Sequence, residues 1–382
     1  MTSAGGLPDR LRGLLDRLAS RKHVEHAIVA VERLDGSFRW IGVAGNASPV
    51  GTPMREDTPF HLASVTKLFI AAAVMKLRER GRVGLDEPIS AYLPETLIGG
   101  LHRKDGVDRT GDITVRNLPG HTSGLPDCLE ERPKGGRSLI ERVVREGDMA
   151  WTVEDLARIV RDDLTPHFPP QREGAKRQRA RYSDTNYQLL IAIVEAVTGL
   201  PLDRAFEELL FGPLGLRHTF LPGHAPPEPT PEPATLWFRD RPLQIPLALR
   251  SFGDLYGTAG DTLAFLRGLV RGEVFDDPAT LAEMQRRWIR FGLPHDRAAL
   301  RTPGWPIEYG LGMMRFRFRL PRVRTPSGER PALIGHTGST GSWLFHCPQL
   351  DLLLSSTVDQ ATAGAVPFRF VPKLLRVVGS AG

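Results

Sequence analysis

Cysteine is nearly absent from the 382 residues: Cys128 and Cys347 are the only two. They lie far apart and show no metal-ligand spacing, so free thiols are expected in place of a disulfide framework or a thiolate metal site. Long apolar runs are missing as well. No stretch approaches the roughly 18 residues a membrane span needs, and no apolar segment follows a basic start at Met1. A cytoplasmic chain without a membrane partner is the expectation. His-Glu-x-x-His and His-x-His patterns are lacking, so no metal or other cofactor is expected. No Gly-x-Ser-x-Gly elbow occurs, which excludes the α/β-hydrolase class.

What is present is ordinary for a globular protein: 41% apolar and 25% charged residues. The length suits one large or two interleaved domains. A net charge of +6 arises largely from arginine. The basic residues are scattered and no zinc-finger or RNP-type motif accompanies them, so nucleic acid is excluded as a partner.

Leucines at helical spacing over 8–20 predict a first amphipathic helix. Ala27–Val31 and Phe38–Val43 are β-type runs joined by the hairpin signal Leu34-Asp35-Gly36-Ser37. The pattern turns helical from Val65 to Arg80, and again over Thr152–Asp163, Asn186–Thr198 and Gly260–Arg271. Residues 221–233 are proline-dense and predict an extended surface loop. β-like runs return at Gly312–Phe318, Ala332–His336, Ser342–Cys347 and Leu350–Ser356, and a last helix is expected near Val371–Val378. Strands at both ends and helices between predict an α+β fold. Its sheet-bearing domain would come from 1–80 and 275–382, with a mainly helical domain, 81–274, inserted, and the site at their junction.

Ser64-Val65-Thr66-Lys67 opens a helix. A serine and a lysine three apart share one helical face, so the amine can reach the hydroxyl. A serine hydroxyl needs a base to become a nucleophile, which a desolvated lysine can be, and the first helical turn favours a developing oxyanion. Alone, the motif is better read as a helix cap followed by a solvated lysine. Two further elements follow in order: Tyr182-Ser183-Asp184-Thr185-Asn186-Tyr187 before a helix, and Gly335-His336-Thr337-Gly338-Ser339 on a β-like run.

Ordered this way, the chain resembles the serine β-lactamase and penicillin-binding-protein superfamily. It is most similar to the branch of class C β-lactamases, D-alanyl-D-alanine carboxypeptidases and family VIII esterases. Phe60–Lys67, Gly81–Pro94, Gly120–Asp127, Tyr182–Gln188, Phe211–Thr219, Tyr309–Gly312 and Gly335–Gly338 carry the likeness over almost the whole chain. The resemblance implies a β-lactamase/transpeptidase-like fold, an antiparallel sheet flanked by helices. It implies that Ser64 attacks a carbonyl, that Lys67 and Tyr182 share the work of base and acid, and that the backbone N–H groups of Ser64 and Ser339 form an oxyanion hole. Asp184, His336, Thr337 and Gly338 would line the substrate site, with His336 orienting a substrate group or tuning Tyr182. His121-Thr122-Ser123 is expected to be a hydrogen-bonded turn.

Two positions depart from that pattern. Asp184 stands where many relatives have asparagine, and a carboxylate beside Lys67 would raise the lysine's pKa and shift weight to Tyr182. His336 stands where relatives often have lysine, which leaves a neutral group where a substrate carboxylate would be held. A basic segment, Arg172, Lys176, Arg177, Arg179 and Arg181, reads as a solvated loop or as a funnel for an anionic substrate. The expected function is a serine hydrolase acting on an ester or amide of a small molecule. A transacylase of the same fold, a β-lactamase or D-alanyl-D-alanine carboxypeptidase, and a slow-turnover ligand sensor are the alternatives.

Overall fold

The computed structural model describes residues 6–291, 307–318, 323, 325 and 328–379. Eight strands form one sheet, in spatial order Arg39–Gly45, His26–Arg33, Leu352–Thr357, Trp343–Cys347, Ala332–Thr337, Met314–Arg317, Glu308–Tyr309 and Ile289–Arg290. Every neighbouring pair is antiparallel. The first and last thirds of the chain are stitched together between the second and third strands of this order, where Ile28 pairs with Thr357. The two-residue strands at one edge, Glu308–Tyr309 and Ile289–Arg290, are too short to leave a β pattern in the sequence.

His26–Arg33 is buried on both faces, which is why it reads as a continuous apolar run instead of an alternating one. Side chains alternate across a strand, so Ala27, Val29 and Val31 face one layer and Ile28 and Ala30 the other. The first layer is made by the helices Leu7–Ala19 and Val366–Gly379, packed on Trp343, Phe345, Leu352 and Leu354. In Leu7–Ala19 the buried stripe is Leu11, Leu14, Leu15 and Leu18, the i, i+3, i+4, i+7 spacing of an amphipathic helix. The C-terminal helix starts five residues before the expected Val371 and carries Pro372 inside it. Proline there removes one backbone donor, but burial of Phe368, Phe370, Val371, Leu374 and Leu375 holds the helix on the sheet.

On the other face lies the helix Thr66–Glu79, buried without a break from Thr66 to Leu77. It packs against the helix Asp184–Thr198. The helix Ala259–Arg271 also covers this face, touching Leu352–Thr357, Trp343–Cys347 and His26–Arg33, although it falls within the 81–274 interval expected as an insertion. The expected 152–163 helix is α-helical over Val153–Arg158 and widens to a π-helical turn over Ile159–Asp163. No helix or strand forms between Leu221 and Pro233. Both cysteines are buried and free, and among the described residues no helix is long and apolar enough to cross a membrane.

Candidate active site

Ser64 sits in a single 3-10 turn, Ala63–Val65, that runs directly into Thr66–Glu79. Ala63 has φ of 47°, a left-handed conformation that costs a non-glycine residue about 1 kcal/mol or more. The surroundings hold the turn in place. Ser342 Oγ donates to the Leu62 carbonyl at 2.8 Å, and Thr66 Oγ1 accepts from the Leu255 N–H at 2.9 Å. Gly338 closes over the same turn. A Cβ there would lie 2.1 Å from Ser342 Oγ and 2.8 Å from Ala63 Cβ, so only glycine permits this approach.

Lys67 Nζ donates to Ser64 Oγ at 3.1 Å, and Tyr182 OH donates to the same oxygen at 2.8 Å. Asp184 Oδ1 lies 2.5 Å from Lys67 Nζ. The ammonium also lies 5.2 Å from the centroids of the Tyr182 and Tyr187 rings. Burial works to lower the pKa of Lys67, but Asp184, Tyr182 and Asp254 outweigh it, and the lysine ends well above its ordinary value. Tyr182 is likewise pushed well above the usual phenol range, by burial and by Asp184 against the opposing charge of Lys67. The resting site is therefore a lysinium and a neutral phenol, both donating to the serine. For either to accept the serine's proton, it must first lose its own.

Behind Asp184 stands a second carboxylate, at the end of the Gly120–Asp127 stretch and not among the expected site residues. Asp127 is fully buried; Oδ2 accepts from the Asp184 N–H at 3.2 Å, and Oδ1 from the N–H groups of Leu129 and Glu130 at 2.9 and 3.1 Å. Burial and then Asp184 raise it well above the ordinary carboxylate range. Glu130, three residues on in the same turn, is an exposed residue whose carboxyl is raised to about 7 by desolvation among its neighbours and by Asp184, with Lys67 opposing.

A cavity of about 210 Å³ opens beside Ser64. Ser64, Lys67, Asp184 and Ser339 line it, as do Glu130, Asp254 and His61, which sequence reasoning missed. Its apolar wall comes from Leu129, Ile140 and Val143 on one side of the chain's middle and Leu236, Ile245 and Leu249 on the other. Six separate stretches contribute, within 61–70, 129–144, 184–188, 236–254, 339–340 and at 361, so no local motif could have revealed the grouping.

His336, Thr337 and Gly338 do not line this cavity. His336 is fully buried, and its ring centroid is 6.4 Å from that of Tyr182. Its Nδ1 bonds the Thr337 carbonyl at 2.7 Å and its Nε2 pairs with Tyr309 OH at 2.7 Å. The first bond requires Nδ1 to carry the proton, so Nε2 accepts from the tyrosine. Burial, then the Lys67 charge, lower its pKa to about 3. Thr337 Oγ1 contacts Met314 Sδ at 3.7 Å. The basic segment is also outside the cavity. Arg181 pairs with Glu131 at 3.3 Å, Arg179 stacks over Phe168 at 4.5 Å, and Arg172, Lys176 and Arg177 are exposed. His121 serves as a turn: Nδ1 accepts from the Ser183 N–H at 3.2 Å, while Ser123 Oγ donates to Asn186 Oδ1 at 2.6 Å. Among the described residues no group of side chains could hold a metal ion.

A serine at a helix start, touched by a lysine and a tyrosine and set on an antiparallel sheet between helical layers, defines the serine hydrolases and acyl-transfer enzymes of β-lactamase-like fold. The β-lactamase family model matches residues 15–362, and the chain belongs to that family. Esterase EstB of Burkholderia gladioli is 32% identical over 342 residues, covering 80% of each chain. The D-alanyl-D-alanine-carboxypeptidase/endopeptidase AmpH of Escherichia coli K12 is 25% identical over 83% of this chain and 74% of its own. Among solved structures, a D-stereospecific amidohydrolase from Streptomyces superposes with a TM-score of 0.69 at 25% identity, covering 95% of this chain and 97% of that one. A D-amino acid amidase from Ochrobactrum anthropi superposes with a TM-score of 0.73 at 23% identity over 98% and 99%. The α+β fold expected from the sequence is the fold these structures share.

Proposed function

We propose that this enzyme forms an acyl-enzyme at Ser64 and cleaves an ester or amide of a small molecule. One observation carries the reading: Lys67 Nζ and Tyr182 OH converge on Ser64 Oγ at the wall of a cavity. In the reactive form, one of the two is deprotonated. Tyr182 is the better candidate, because Asp184 at 2.5 Å keeps Lys67 charged and Lys67 in turn stabilises a phenolate. Tyr182 takes the serine's proton as Oγ adds to the substrate carbonyl, then returns it to the departing alcohol or amine. The backbone N–H groups of Ser64 and Ser339 would hold the oxyanion. Water, taken up through the same pair, would release the acid. The cavity draws its lining from the two ends of the chain and from the 81–274 interval, which supports the two-part organisation with the site at its junction.

The esterase relative at 32% identity supports an ester as substrate. A β-lactam or a peptide C-terminus is less well served, since neutral His336 is engaged with Tyr309 and cannot hold a carboxylate in the cavity. A transacylase would use the same residues with an alcohol or amine in place of water. The test is intact-mass spectrometry after exposure to a fluorophosphonate, a penicillin and a p-nitrophenyl ester, with Ser64→Ala alongside. An adduct and ester turnover that vanish in Ser64→Ala are expected; an adduct that persists there overturns the assignment.

A further inference from the structure

The proposed acylation of Ser64 employs Lys67 and Tyr182, yet the same cavity holds a second couple of proton-handling groups. His61 and Asp254 both line it. They come from distant parts of the chain, brought together by the short strand pair in which His61 faces Tyr256. The Leu62 N–H donates to the Leu255 carbonyl at 2.8 Å, and the Leu255 N–H to Thr66 Oγ1 at 2.9 Å. The contacts that fix the serine's turn therefore fix this couple as well. His61 Nε2 lies 3.2 Å from Asp254 Oδ2. Asp254 also faces Lys67, whose pKa it helps to raise.

A buried histidine can be purely structural, and the molecule holds one for comparison. His26 is wholly buried and both of its nitrogens are satisfied, Nδ1 on the Asn46 carbonyl at 3.0 Å and Nε2 on Asp359 Oδ2 at 2.9 Å. His61 differs on each count. It lines a cavity, and neither ring nitrogen makes a hydrogen bond with the described residues, the approach to Asp254 being out of line. Proton-transfer contacts are often poorly aligned until a substrate is bound. Thr340, 5% exposed, lines the same cavity, and its Oγ1 likewise has no hydrogen-bond partner among the described residues. Buried polar groups are rarely left unmatched, so both point to a polar molecule taken up in the cavity.

The second half of the reaction supplies one. A neutral imidazole can take a proton from water, and a carboxylate beside it stabilises the imidazolium that forms. Lys67 and Tyr182 are already engaged with Ser64 Oγ. We infer that His61, positioned by Asp254, is the base that activates the water releasing the acyl group. The inference rests on the acyl-enzyme at Ser64 and gives its breakdown a base of its own. The water's oxygen adds to the acyl carbonyl while its proton goes to His61. As the bond from the carbonyl carbon to Ser64 Oγ breaks, Lys67 protonates Oγ. The imidazolium then recharges Lys67 through Asp254, which faces both. The acid leaves and every group regains its starting state.

Acylation and release are measured separately on the full chain with a p-nitrophenyl ester. Single turnover with enzyme in excess reports acylation; steady-state turnover and the mass of the acyl-enzyme report release. His61→Gln is expected to keep acylation within about threefold, to slow turnover roughly 10²-fold and to accumulate acyl-enzyme. Asp254→Asn should slow release severalfold and add nothing on top of His61→Gln, since it acts through the histidine. Hydroxylamine, which attacks an ester without a base, should speed release in His61→Gln far more than in the parent enzyme. The acylated fraction counts folded sites, so partial unfolding is corrected for. If His61→Gln does not fold, Asp254→Asn with hydroxylamine carries the test. Losses shared equally by acylation and release, unchanged turnover in both variants, or additive losses would overturn the inference. Failure of the Ser64 assignment would show differently, as acylation that survives Ser64→Ala, and would overturn the inference with it.

Discussion

On the cavity side of Tyr182, Ser64, Lys67, Asp184 and Glu130 form a chain of groups whose protonation states depend on one another. On the side away from the cavity, His121, Tyr309 and His336 pack around the same ring with centroids 4.5–6.5 Å away. Histidine and tyrosine are chemically versatile, yet here they are fixed in the neutral state. Burial and the Lys67 charge hold His121 well below its ordinary value and His336 at about 3. The difference lies in counter-charge. A buried ionisable group with an opposite charge 2.5 Å away stays ionised, as Lys67 does; one without it stays neutral and behaves as a hydrogen-bonding core residue. The same tyrosine ring divides a proton-handling region from a rigid support.

That contrast can be broken most directly at the nucleophile. Ser64→Ala is expected to lower kcat by about 10⁴-fold or more, since the residual rate of such sites comes from binding and oxyanion contacts alone. Retained burst kinetics with a chromogenic ester would move the chemistry elsewhere. Tyr182→Phe keeps the ring against His121 and removes only the hydroxyl. A loss of roughly 10²–10⁴-fold in kcat is expected for a group acting as base and acid, with little change in melting temperature. A rate within a few fold of the parent enzyme would hand the role to Lys67.

Asp184→Asn sharpens the comparison by removing the counter-charge while keeping the shape. Asp184 raises the pKa of both Lys67 and Tyr182, so without it both fall, and the base becomes available at lower pH. The acidic limb of the kcat/KM profile should therefore move down while activity persists. A profile that stays put would show that neither Lys67 nor Tyr182 sets that limb.

His336→Gln tests the supporting side. Loss of its bond to Tyr309 should cost about 1–2 kcal/mol of stability, read by calorimetry. Because the histidine is neutral throughout, the pH profile between 5 and 9 should not change; a shift near neutrality would place His336 among the proton-handling groups after all. The smallest effect is expected on the basic segment. Arg172→Gln with Arg177→Gln should alter kcat/KM by less than about twofold at any salt concentration, since exposed charges outside the cavity are screened. A steep salt-dependent fall would restore the funnel.

The strand pair at the N-terminus, the helix after Ser64 and the order of the three motif segments were legible because each is local: alternation, helical spacing, or a few adjacent residues. The extra length of the C-terminal helix was not, because Pro372 is a breaker locally and only burial against the sheet overrides it. Glu130 and Asp254 carried no signal either, and His61 and Asp127 lie in stretches that carried the family likeness without marking either residue for the site. Asp254 is far in the chain from every motif residue, and Glu130 meets the site only because its turn packs beside Asp184.

What the sequence determined by itself is the family, the two-sided sheet and the residues that meet at Ser64, since these follow from patterns that read within short windows. The tertiary structure decided which charges are matched. It turned His336 toward Tyr309 and away from the cavity, set Asp184 against Lys67, and placed His61 beside Asp254. Electrostatic state depends on distance and burial, and both come into being only when segments more than a hundred residues apart are packed together.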